Sequence, residues 1–476
     1  MPRPALTVLT PEEARIVHGR ALELLSTVGV RIEDGEVARL LLEGGASERG
    51  GRIQIPEELV NEALRSAPRR IELYDRDGRR VATLGESALL FCPGSAAVKL
   101  LDYGALEPRA PVMEDLRRLA VLVENLKFVD AQSTALVPGD VPLEIRDAVR
   151  LYPVFKYSRK PVVTGAFTAE NLPLMLEMLR AVREDAWKRP FAIFDVCPSP
   201  PLSWSAIACR NLVDLARAGV PAEIIPMPGL GSTAPATIAG ALVQHHAEVL
   251  SGIVVAQLAS RGAPVIYGGS PLLMHPRYGT PLITAPEALL ISLAYRDLAR
   301  LLDLPAHTYM GLSDSKLVDY QAGAESALGA LLAVLAGFDV VAGPGMLEFE
   351  SALSLEKLVL DNELVGLAKR LGAGLELGLD EALDVIRDVI ASKGGSFLLH
   401  PHTRRAIRRE VHLPRTWDAT PRSKWPGRDI YAEARAEVER LLREGSASTL
   451  EPEVQARLDA LYAEVFRRAG AKPVPV

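Results

Sequence analysis

Cysteine is scarce in this sequence: Cys92, Cys197 and Cys209 are the three among 476 residues. They stand in apolar surroundings and lack the close spacing of a zinc site. We therefore predict reduced thiols in a cytoplasmic protein, with no disulfide framework and no bound metal.

Positive charge is also limited, because 54 Lys and Arg face 60 Asp and Glu, a net charge of −6. Binding to phosphates needs concentrated Lys and Arg, so nucleic acid is not an expected partner. The most apolar helical stretch, residues 233–260, is interrupted by Gln244, His245, His246 and Glu248. We therefore predict no membrane span. The N-terminus also lacks the apolar core of a signal peptide.

The signatures of common catalytic sites are absent too, since no P-loop, CxxC pair or ordered Ser-His-Asp set is found.

Residues 1–85 show the patterns of helices and of a strand pair. Thr10 and Pro11 predict the start of an amphipathic helix, and "IPEELVNEALRSAP" predicts a second one. A strand pair with a turn at Asp77-Gly78 follows. We interpret residues 1–85 as an α/β layer added to a larger domain.

From Phe128 onward, short apolar segments alternate with longer helical patterns. The seven segments are 128–137, 160–167, 190–198, 221–229, 263–271, 305–314 and 338–346. Apolar strands separated by amphipathic helices are typical of a parallel sheet that is covered on both faces. The pattern predicts an α/β fold with a (β/α)₈ TIM barrel at 86–400 and a C-terminal helical extension at 401–476. The eighth strand is left open among Gly374–Leu379, Ser396–Leu399 and Leu89–Cys92.

In such barrels the chemistry lies where the strands end. We expect Ser313 and Asp314 to end the sixth strand and Glu348 to lie just beyond the seventh, with Asp314 and Glu348 as the catalytic acids. Aromatic residues recur at the same strand ends: Phe167, Phe194, Tyr267, Tyr309 and Phe349. They are expected either to fill layers of the barrel or to form a cage around a cation, each face contributing ~0.5–2 kcal/mol.

Several further polar residues follow the sixth and seventh segments. Gln321 and Glu325 are one helical turn apart, and Asp319 is expected to cap their helix. Gly343 and Gly345 permit either a close approach to a ligand or a tight turn. His400 and His402 alternate at the spacing of a strand. No Cys or acid cluster completes a metal site around these two histidines, so we predict none.

Longer segments carry a family resemblance. They are "ALELLSTVGVRI", "IPEELVNEALRSAP", "PAEIIPMPGLGSTAPATIAGALVQHHAEVLSGIVVAQLASRGAPVIYGG", "SDSKLVDYQAGAESALGALLAVLAGFDVVAGPGMLE", "LVLDNELVG" and "FLLHPHTRRAIRRE". In order and spacing the sequence resembles the trimethylamine methyltransferase family of corrinoid-dependent enzymes over nearly its whole length. It resembles in particular the branch without pyrrolysine, which acts on glycine betaine and related quaternary amines.

The resemblance implies a (β/α)₈ barrel in which Co(I) of a corrinoid, carried by a separate small protein, attacks an N-methyl group. It implies that Leu312–Asp319 and Gly343–Glu348 line the pocket. It also implies that His400, His402 and Thr403 face the barrel mouth or the corrinoid partner, as we expect for Gly343 and Gly345. The trimethylamine enzymes carry a pyrrolysine near the sixth strand, whereas Lys316 is the only lysine in that loop here.

We therefore predict a methyltransferase that moves a methyl group from a glycine betaine-like quaternary amine to the corrinoid of its partner. A quaternary nitrogen leaves as a neutral amine and needs no acid. The predicted substrate-binding residues are Phe167, Phe194, Tyr267, Tyr309, Ser313, Lys316, Gln321 and Phe349. We expect a homo-oligomer without a tightly bound cofactor. The alternatives are a lyase that forms a Schiff base on Lys316 and a non-catalytic barrel that binds quaternary amines or docks a corrinoid.

Overall fold

The structure is a computed structural model that describes residues 4–445, 448 and 450–476. Its helices are α1 Pro11–Thr27, α2 Gly35–Glu43, α3 Glu57–Ser66, α4 Met113–Asn125, α5 Arg146–Val149, α6 Leu151–Tyr157, α7 Leu172–Val182, α8 Ala206–Ala218, α9 Ile238–Ala259, α10 Pro286–Leu301, α11 Tyr320–Ala336, α12 Leu355–Gly372, α13 Leu379–Ala391, α14 Pro401–Glu410, α15 Ile430–Glu444 and α16 Pro452–Arg468. Short 3₁₀ turns lie at Leu143–Ile145, Phe397–Leu399 and Arg422–Lys424.

The strands are short. They are β1 Arg31–Ile32, β2 Ser47–Arg49, β3 Arg52–Gln54, β4 Ile71–Tyr74, β5 Arg80–Leu84, β6 Leu90–Cys92, β7 Lys99–Leu100, β8 Gln132–Ser133, β9 Val162–Thr164, β10 Ala192–Val196, β11 Ser203–Trp204, β12 Ala222–Ile224, β13 Gly229–Leu230, β14 Val265–Tyr267, β15 Leu272–Met274, β16 Pro281–Leu282, β17 His307–Tyr309, β18 Val340–Ala342, β19 Met346–Leu347 and β20 Ala352–Leu353. The predicted mixed α/β class is confirmed.

The N-terminal part forms as its local sequence predicts. The Thr10 hydroxyl accepts a hydrogen bond from the Glu13 N–H at 3.2 Å, and the Glu13 carboxylate accepts one from the Thr10 N–H at 2.8 Å. This reciprocal cap satisfies two N–H groups at the start of α1. β4 and β5 pair antiparallel around the turn at Asp77-Gly78, where Gly78 takes φ +86°. The predicted first helix and strand pair are therefore confirmed.

The centre of the molecule consists of parallel strands. β14, β12, β10, β9 and β8 form one parallel sheet in this spatial order, and β17, β18 and β6 form a second one. Each of the seven apolar segments of the sequence contributes one of these strands. The strands are shorter than the segments because the residues that follow them form loops. The prediction that Ser313 and Asp314 end the sixth strand is wrong, since both lie in such a loop beyond β17.

The eighth central strand is β6, within the third of the candidate regions. Leu90–Cys92 pairs in parallel with Val340–Ala342. The other two candidates do not form strands: residues 374–378 are irregular and lead into α13, and Phe397–Leu399 is a 3₁₀ turn.

The two parallel sheets also contact each other at both edges. Tyr267 of β14 bridges Ala306, and its N–H donates to the Pro305 carbonyl at 2.9 Å. At the opposite edges, the N–H groups of Asp130 and Ala131 donate to the Phe91 carbonyl at 2.7 and 3.0 Å. The backbone groups at these edges therefore have partners within the chain.

Helix α9 is mostly apolar, and its few polar residues, among them His245, His246 and Glu248, are buried as well. Within the described part of the chain it is the one helix long and apolar enough to suit a membrane span, and 78% of its most apolar window is buried inside the protein. It contacts α1, α3, α8 and α10. A mostly apolar helix is expected at such a central position.

Candidate active site

A cavity of about 460 Å³ lies at the carboxyl ends of β9, β10, β12 and β17. Each strand contributes the residues at or just after its end. The lining residues are Ser95, Ala96, Gly165, Ala166, Phe167, Asp195, Val196, Cys197, Ser205, Ile207, Ala208, Asn211, Ile225, Met227, Tyr309 and Glu350. The cavity thus combines apolar walls with a small number of ionisable groups, as small-molecule sites commonly do.

Two acids stand next to each other on neighbouring strands. Asp195 of β10 is the parallel register partner of Glu223 of β12. The Tyr309 hydroxyl donates to Asp195 Oδ2 at 3.1 Å, whereas Asp195 Oδ1 and both Glu223 oxygens have no donor when the two groups are ionised. The carboxyl groups can hydrogen-bond each other once one of them holds a proton.

The environment of this pair favours a shared proton. Burial raises the pKa of Asp195 to about 6. Burial and the neighbouring Asp195 raise the pKa of Glu223 well above its usual range. His307 Nδ1 lies 3.4 Å from Glu223 Oε2, but burial lowers the pKa of His307 to about 3, so this histidine is neutral. One carboxyl of the pair therefore keeps a proton at a pH where it would be ionised in water.

A third acid, Glu350, enters the cavity from an unusual backbone segment. Glu348, Phe349 and Glu350 are consecutive non-glycine residues with φ of +48°, +59° and +67°. Left-handed backbone is unfavourable for such residues and is concentrated at functional sites. Glu350 Oε1 is buried without a hydrogen-bond partner, and burial raises the pKa of Glu350 to about 8.

One buried cation faces these acids. Arg150 follows α5, and its guanidinium donates to the carbonyls of Thr134 at 2.7 Å and Gly165 at 2.9 Å. The guanidinium carbon lies 4.3 Å from the centre of the Phe167 ring. Burial lowers the pKa of Arg150 to about 10, which leaves it charged at neutral pH. Arg150 thus holds two strand-end loops together and presents the Phe167 ring to the cavity.

The structure brings two of the predicted aromatics into the cavity, Phe167 and Tyr309. Phe194 and Tyr267 are buried elsewhere. Phe194 precedes Asp195 on β10, so its side chain leaves the opposite face of the strand. Tyr267 contacts His246 of α9 through a hydrogen bond of 2.7 Å.

The predicted catalytic acids have partners outside the cavity. Asp314 accepts hydrogen bonds from the Thr284 hydroxyl at 2.6 Å and from the N–H groups of Ile283 and Thr284 at 3.3 and 3.1 Å. Both Glu348 oxygens lie 3.0 Å from Lys99 Nζ. Neither residue lines the cavity.

The other predicted residues of this loop contact one another. The Ser313 hydroxyl donates to Glu325 at 2.6 Å, and the Gln321 amide donates to the other Glu325 oxygen at 2.9 Å. Lys316 Nζ donates to the Asp314 carbonyl at 2.9 Å and lies 4.1 Å from the centre of the Phe349 ring. Asp319 caps α11, as expected, by accepting from the Ala322 N–H at 2.9 Å. The loop is therefore held by its own side chains.

The predicted partner-facing residues lie in two places. A Cβ on Gly343 would meet the Met310 carbonyl oxygen at 2.4 Å, and the Gly345 N–H donates to Asp361 at 2.7 Å. Both glycines thus serve close backbone packing. His400 and His402 do not alternate along a strand; they begin α14, where the His400 ring accepts from the His402 N–H at 3.2 Å.

Sequence reasoning missed Glu223, Glu350 and Arg150. A signal for Glu223 exists, since a charged residue inside the apolar stretch "PAEIIP" is unusual. Asp195 gives a similar signal, since it is the charged residue inside the apolar segment 190–198. Within the residues that the structure describes, no group of three or more His, Cys, Asp and Glu is arranged to hold a metal ion.

Comparison with known proteins gives a consistent result over the full length. The model of the family "Trimethylamine methyltransferase (MTTB)" matches residues 1–470. The chain is 30% identical to the trimethylamine methyltransferase MttB of Desulfitobacterium hafniense, over 98% of this chain and 95% of that protein. It is 29% identical to a glycine betaine methyltransferase of the same species, over 98% of both.

Among solved structures, the monomethylamine methyltransferase MtmB of Methanosarcina barkeri has a similar fold. The TM-score is 0.55 at 12% sequence identity, covering 91% of this chain and 88% of the other. The chain therefore belongs to the trimethylamine methyltransferase family and is a methyltransferase.

Proposed function

We propose that this methyltransferase takes a methyl group from a quaternary amine of the glycine betaine type and delivers it to a corrinoid carried by a partner protein. The observation that supports this most directly is the cavity of about 460 Å³, which is lined by two aromatic side chains, Phe167 and Tyr309, and by the carboxyl groups of Asp195 and Glu350. The family match and the glycine betaine methyltransferase among its relatives agree with it.

The cavity suits a quaternary ammonium ion in size and charge. The faces of Phe167 and Tyr309 attract a cation through their ring quadrupoles. Asp195 and Glu350 supply carboxyl groups to the cavity, and the buried Arg150 guanidinium, 4.3 Å from the centre of the Phe167 ring, holds that ring against it. Since these groups come from separate loops on parallel strands, they fix the orientation of the ligand and lower the entropy cost of reaching the reactive geometry.

The charge of the wall also suits the reaction. The positive charge on nitrogen disappears when the methyl group leaves, so a wall of full carboxylates would stabilise the substrate more than the transition state. Aromatic faces together with partly protonated acids avoid that imbalance. We therefore propose Asp195 and Glu350, in place of Asp314 and Glu348, as the acids that contact the substrate. Asp314 and Glu348, with Ser313, Lys316, Gln321 and Phe349, would hold the loop that bears them.

The rim of the cavity suits docking of a corrinoid protein. Exposed apolar residues include Phe167 and Ile207, which line the cavity, and Val98, Leu106, Leu143 and Tyr278 in segments that connect strands and helices. Apolar patches of this kind are common at docking surfaces. The corrinoid supplies the nucleophile that accepts the methyl group. Residues of this chain supply the dry cavity and orient the methyl group toward the rim. The location of His400 and His402 on this docking face stays a prediction.

We propose that the two parallel sheets form a single closed (β/α)₈ barrel. The hydrogen bonds of Tyr267 to Pro305 and of Asp130 and Ala131 to Phe91 support this closure, since they join both pairs of edges. We also propose that the chain consists of an added α/β layer at residues 1–85, the barrel at 86–400 and a helical extension at 401–476. We further propose that it assembles into a homo-oligomer.

A demethylation assay tests the function. Purified protein is incubated with glycine betaine and cob(I)alamin, and formation of methylcobalamin and dimethylglycine is followed by absorbance and mass spectrometry. We expect both products to form in equal amounts, and Asp195→Asn to reduce their rate. Binding of glycine betaine without turnover, with cob(I)alamin and with a corrinoid protein alike, would replace the proposal by a binding function.

A further inference from the structure

Two carboxyl groups that line the cavity, those of Asp195 and Glu350, and the Glu223 carboxyl beside Asp195 on the neighbouring strand have no hydrogen bond to a cationic side chain. Asp195 Oδ1, both Glu223 oxygens and Glu350 Oε1 are buried with no hydrogen-bond donor. The buried cation nearest to them, Arg150, donates to the carbonyls of Thr134 and Gly165. We call Asp195, Glu223 and Glu350 the carboxyl cluster.

The other ionisable groups that face the cluster do not neutralise it. His307 and Tyr309 on β17 are uncharged at neutral pH, because burial lowers the pKa of the imidazole and raises that of the phenol. Burial also raises the pKa of Cys92, which is therefore a neutral thiol beside the cluster. Cys197 lines the cavity as well, and Asp314 adds only further negative charge. A fully ionised cluster would hence carry three negative charges, of which the single positive charge of Arg150 offsets only a part.

We propose that the carboxyl cluster holds a proton while the cavity is empty, and that binding of a permanently cationic ligand expels this proton to solvent. The proposal rests on the proposed function, since it assumes that a quaternary ammonium ion occupies this cavity. In the balanced step, a carboxyl group and the cation become a carboxylate–ammonium pair plus one proton in the buffer.

The electrostatic argument has two parts. Without a ligand, burial and mutual repulsion favour protonation; the pKa values of about 6 for Asp195 and about 8 for Glu350 agree with this. A positive charge next to a carboxyl group favours its ionised form and so lowers its pKa. The cation and the proton therefore compete for the same carboxyl oxygens.

Competition of this kind gives the site a means of selection. A molecule of the same shape without the positive charge cannot expel the proton, so the protonated carboxyl cluster offers it no charge attraction. When the ammonium ion loses its methyl group and becomes a neutral amine, the cluster can take a proton back, so that the product is no longer held by charge. The cluster thus acts on both the specificity and the release of the amine.

The pH dependence follows from the sign of the competition. Between the pKa of the occupied site and that of the empty site, each rise of one pH unit strengthens cation binding up to tenfold per proton released. Above about pH 8, where Glu350 ionises in the empty cavity, the part of the proton release that comes from Glu350 is expected to disappear.

Isothermal titration calorimetry measures the proton directly. Glycine betaine is titrated into the protein at pH 7 in buffers of different ionisation enthalpy, and the slope of the heat against that enthalpy gives the protons released. We expect about one proton for glycine betaine. We expect none for 3,3-dimethylbutanoate, which has the same shape and carboxylate but a carbon in place of the charged nitrogen.

Variants locate the source of the proton. Glu350→Gln and Glu223→Gln should each reduce the release, whereas Glu248→Gln should leave it unchanged. Glu248 is a matched control, because it is buried with a pKa of about 7 but lies on α9, where it accepts from the Leu202 N–H and from the Gln244 amide.

The outcomes separate the two proposals. Failure of both glycine betaine and tetramethylammonium to bind contradicts the proposed function as well as this inference. Binding of glycine betaine without proton release, or with the same release for 3,3-dimethylbutanoate, overturns this inference alone. If the cluster variants do not fold, the comparison of the two ligands on the wild-type protein still decides.

Discussion

Two buried polar clusters lie on opposite faces of the parallel sheet that contains β10, β12 and β14. On the outer face, toward the helices, Tyr267 hydrogen-bonds His246 at 2.7 Å, and His246 hydrogen-bonds His18 at 2.9 Å. His245 stacks on Tyr295 with ring centres 4.6 Å apart. On the inner face, Asp195 and Glu350 line the cavity and Glu223 lies beside Asp195, and each of the three has a carboxyl oxygen without a donor.

The two clusters differ in the free-energy cost of burying their polar groups. The outer cluster consists of groups that are neutral when buried, since burial lowers the pKa of His245 to about 3 and lowers that of His246 well below its usual range. The inner cluster consists of acids whose ionised form costs free energy unless a cation arrives. Unfavourable buried groups persist mainly where function requires them.

The largest expected effect comes from removing one acid of the inner cluster. Asp195→Asn keeps the size of the side chain and the contact with Tyr309 but removes the charge. We expect kcat/KM for glycine betaine to fall about 100-fold, equivalent to about 2.7 kcal/mol of lost attraction for the cation. Steady-state demethylation measures this. Thermal stability should not decrease, because the variant removes a buried ionisable group; activity within threefold of the wild type would contradict the assignment.

The sequence predicts where the central strands lie, but it does not predict which of their side chains point toward the cavity and which toward the helices. All seven apolar segments contain a central parallel strand, since burial on both sides gives a continuous apolar run. Such a run carries no alternation, so it does not show which side chains point inward. Tyr309 and Tyr267 were therefore equivalent in the sequence, although one lines the cavity and the other contacts α9.

The sequence does not predict the roles of Glu350 and Glu223, for a different reason. Glu350 lies two residues after Glu348 in the sequence, and the choice between them depends on three left-handed residues that local preferences disfavour. The pairing of Glu223 with Asp195 depends on the register of two strands that are distant in sequence. Both features arise from tertiary structure, and a single sequence does not reveal them.

The next effect concerns the outer cluster and leaves the chemistry intact. Tyr267→Phe removes the hydroxyl that hydrogen-bonds His246 Nδ1 and leaves this buried nitrogen without a partner. We expect a loss of about 1–3 kcal/mol in the free energy of unfolding, with demethylation within twofold of the wild type. Urea unfolding and the demethylation assay check the two parts. A large loss of activity at unchanged stability would place Tyr267 in the site after all.

The pH dependence of stability sharpens the comparison further. The pKa of Glu350 is raised to about 8 in the folded protein, so between roughly pH 4.5 and pH 8 the folded state binds more protons than the unfolded state. The contribution of this group is therefore complete below about pH 4.5 and is lost as the pH rises toward 8. We expect Glu350→Gln to flatten the fall in unfolding free energy over this window, as followed by urea unfolding at several pH values. An unchanged pH profile would mean that Glu350 is not protonated in the fold.

The smallest effect is expected outside both clusters, at Lys316. This exposed lysine lies 4.1 Å from the centre of the Phe349 ring, a contact that contributes about 0.5–1 kcal/mol at an exposed site. A lysine that forms Schiff bases requires a desolvated amine, and Lys316 lies in solvent and outside the cavity. Lys316→Met should therefore retain demethylation within twofold, and borohydride should trap no carbonyl compound on the wild-type chain. Loss of activity in this variant together with borohydride trapping would contradict this assignment and would place the catalytic residue in the loop after β17.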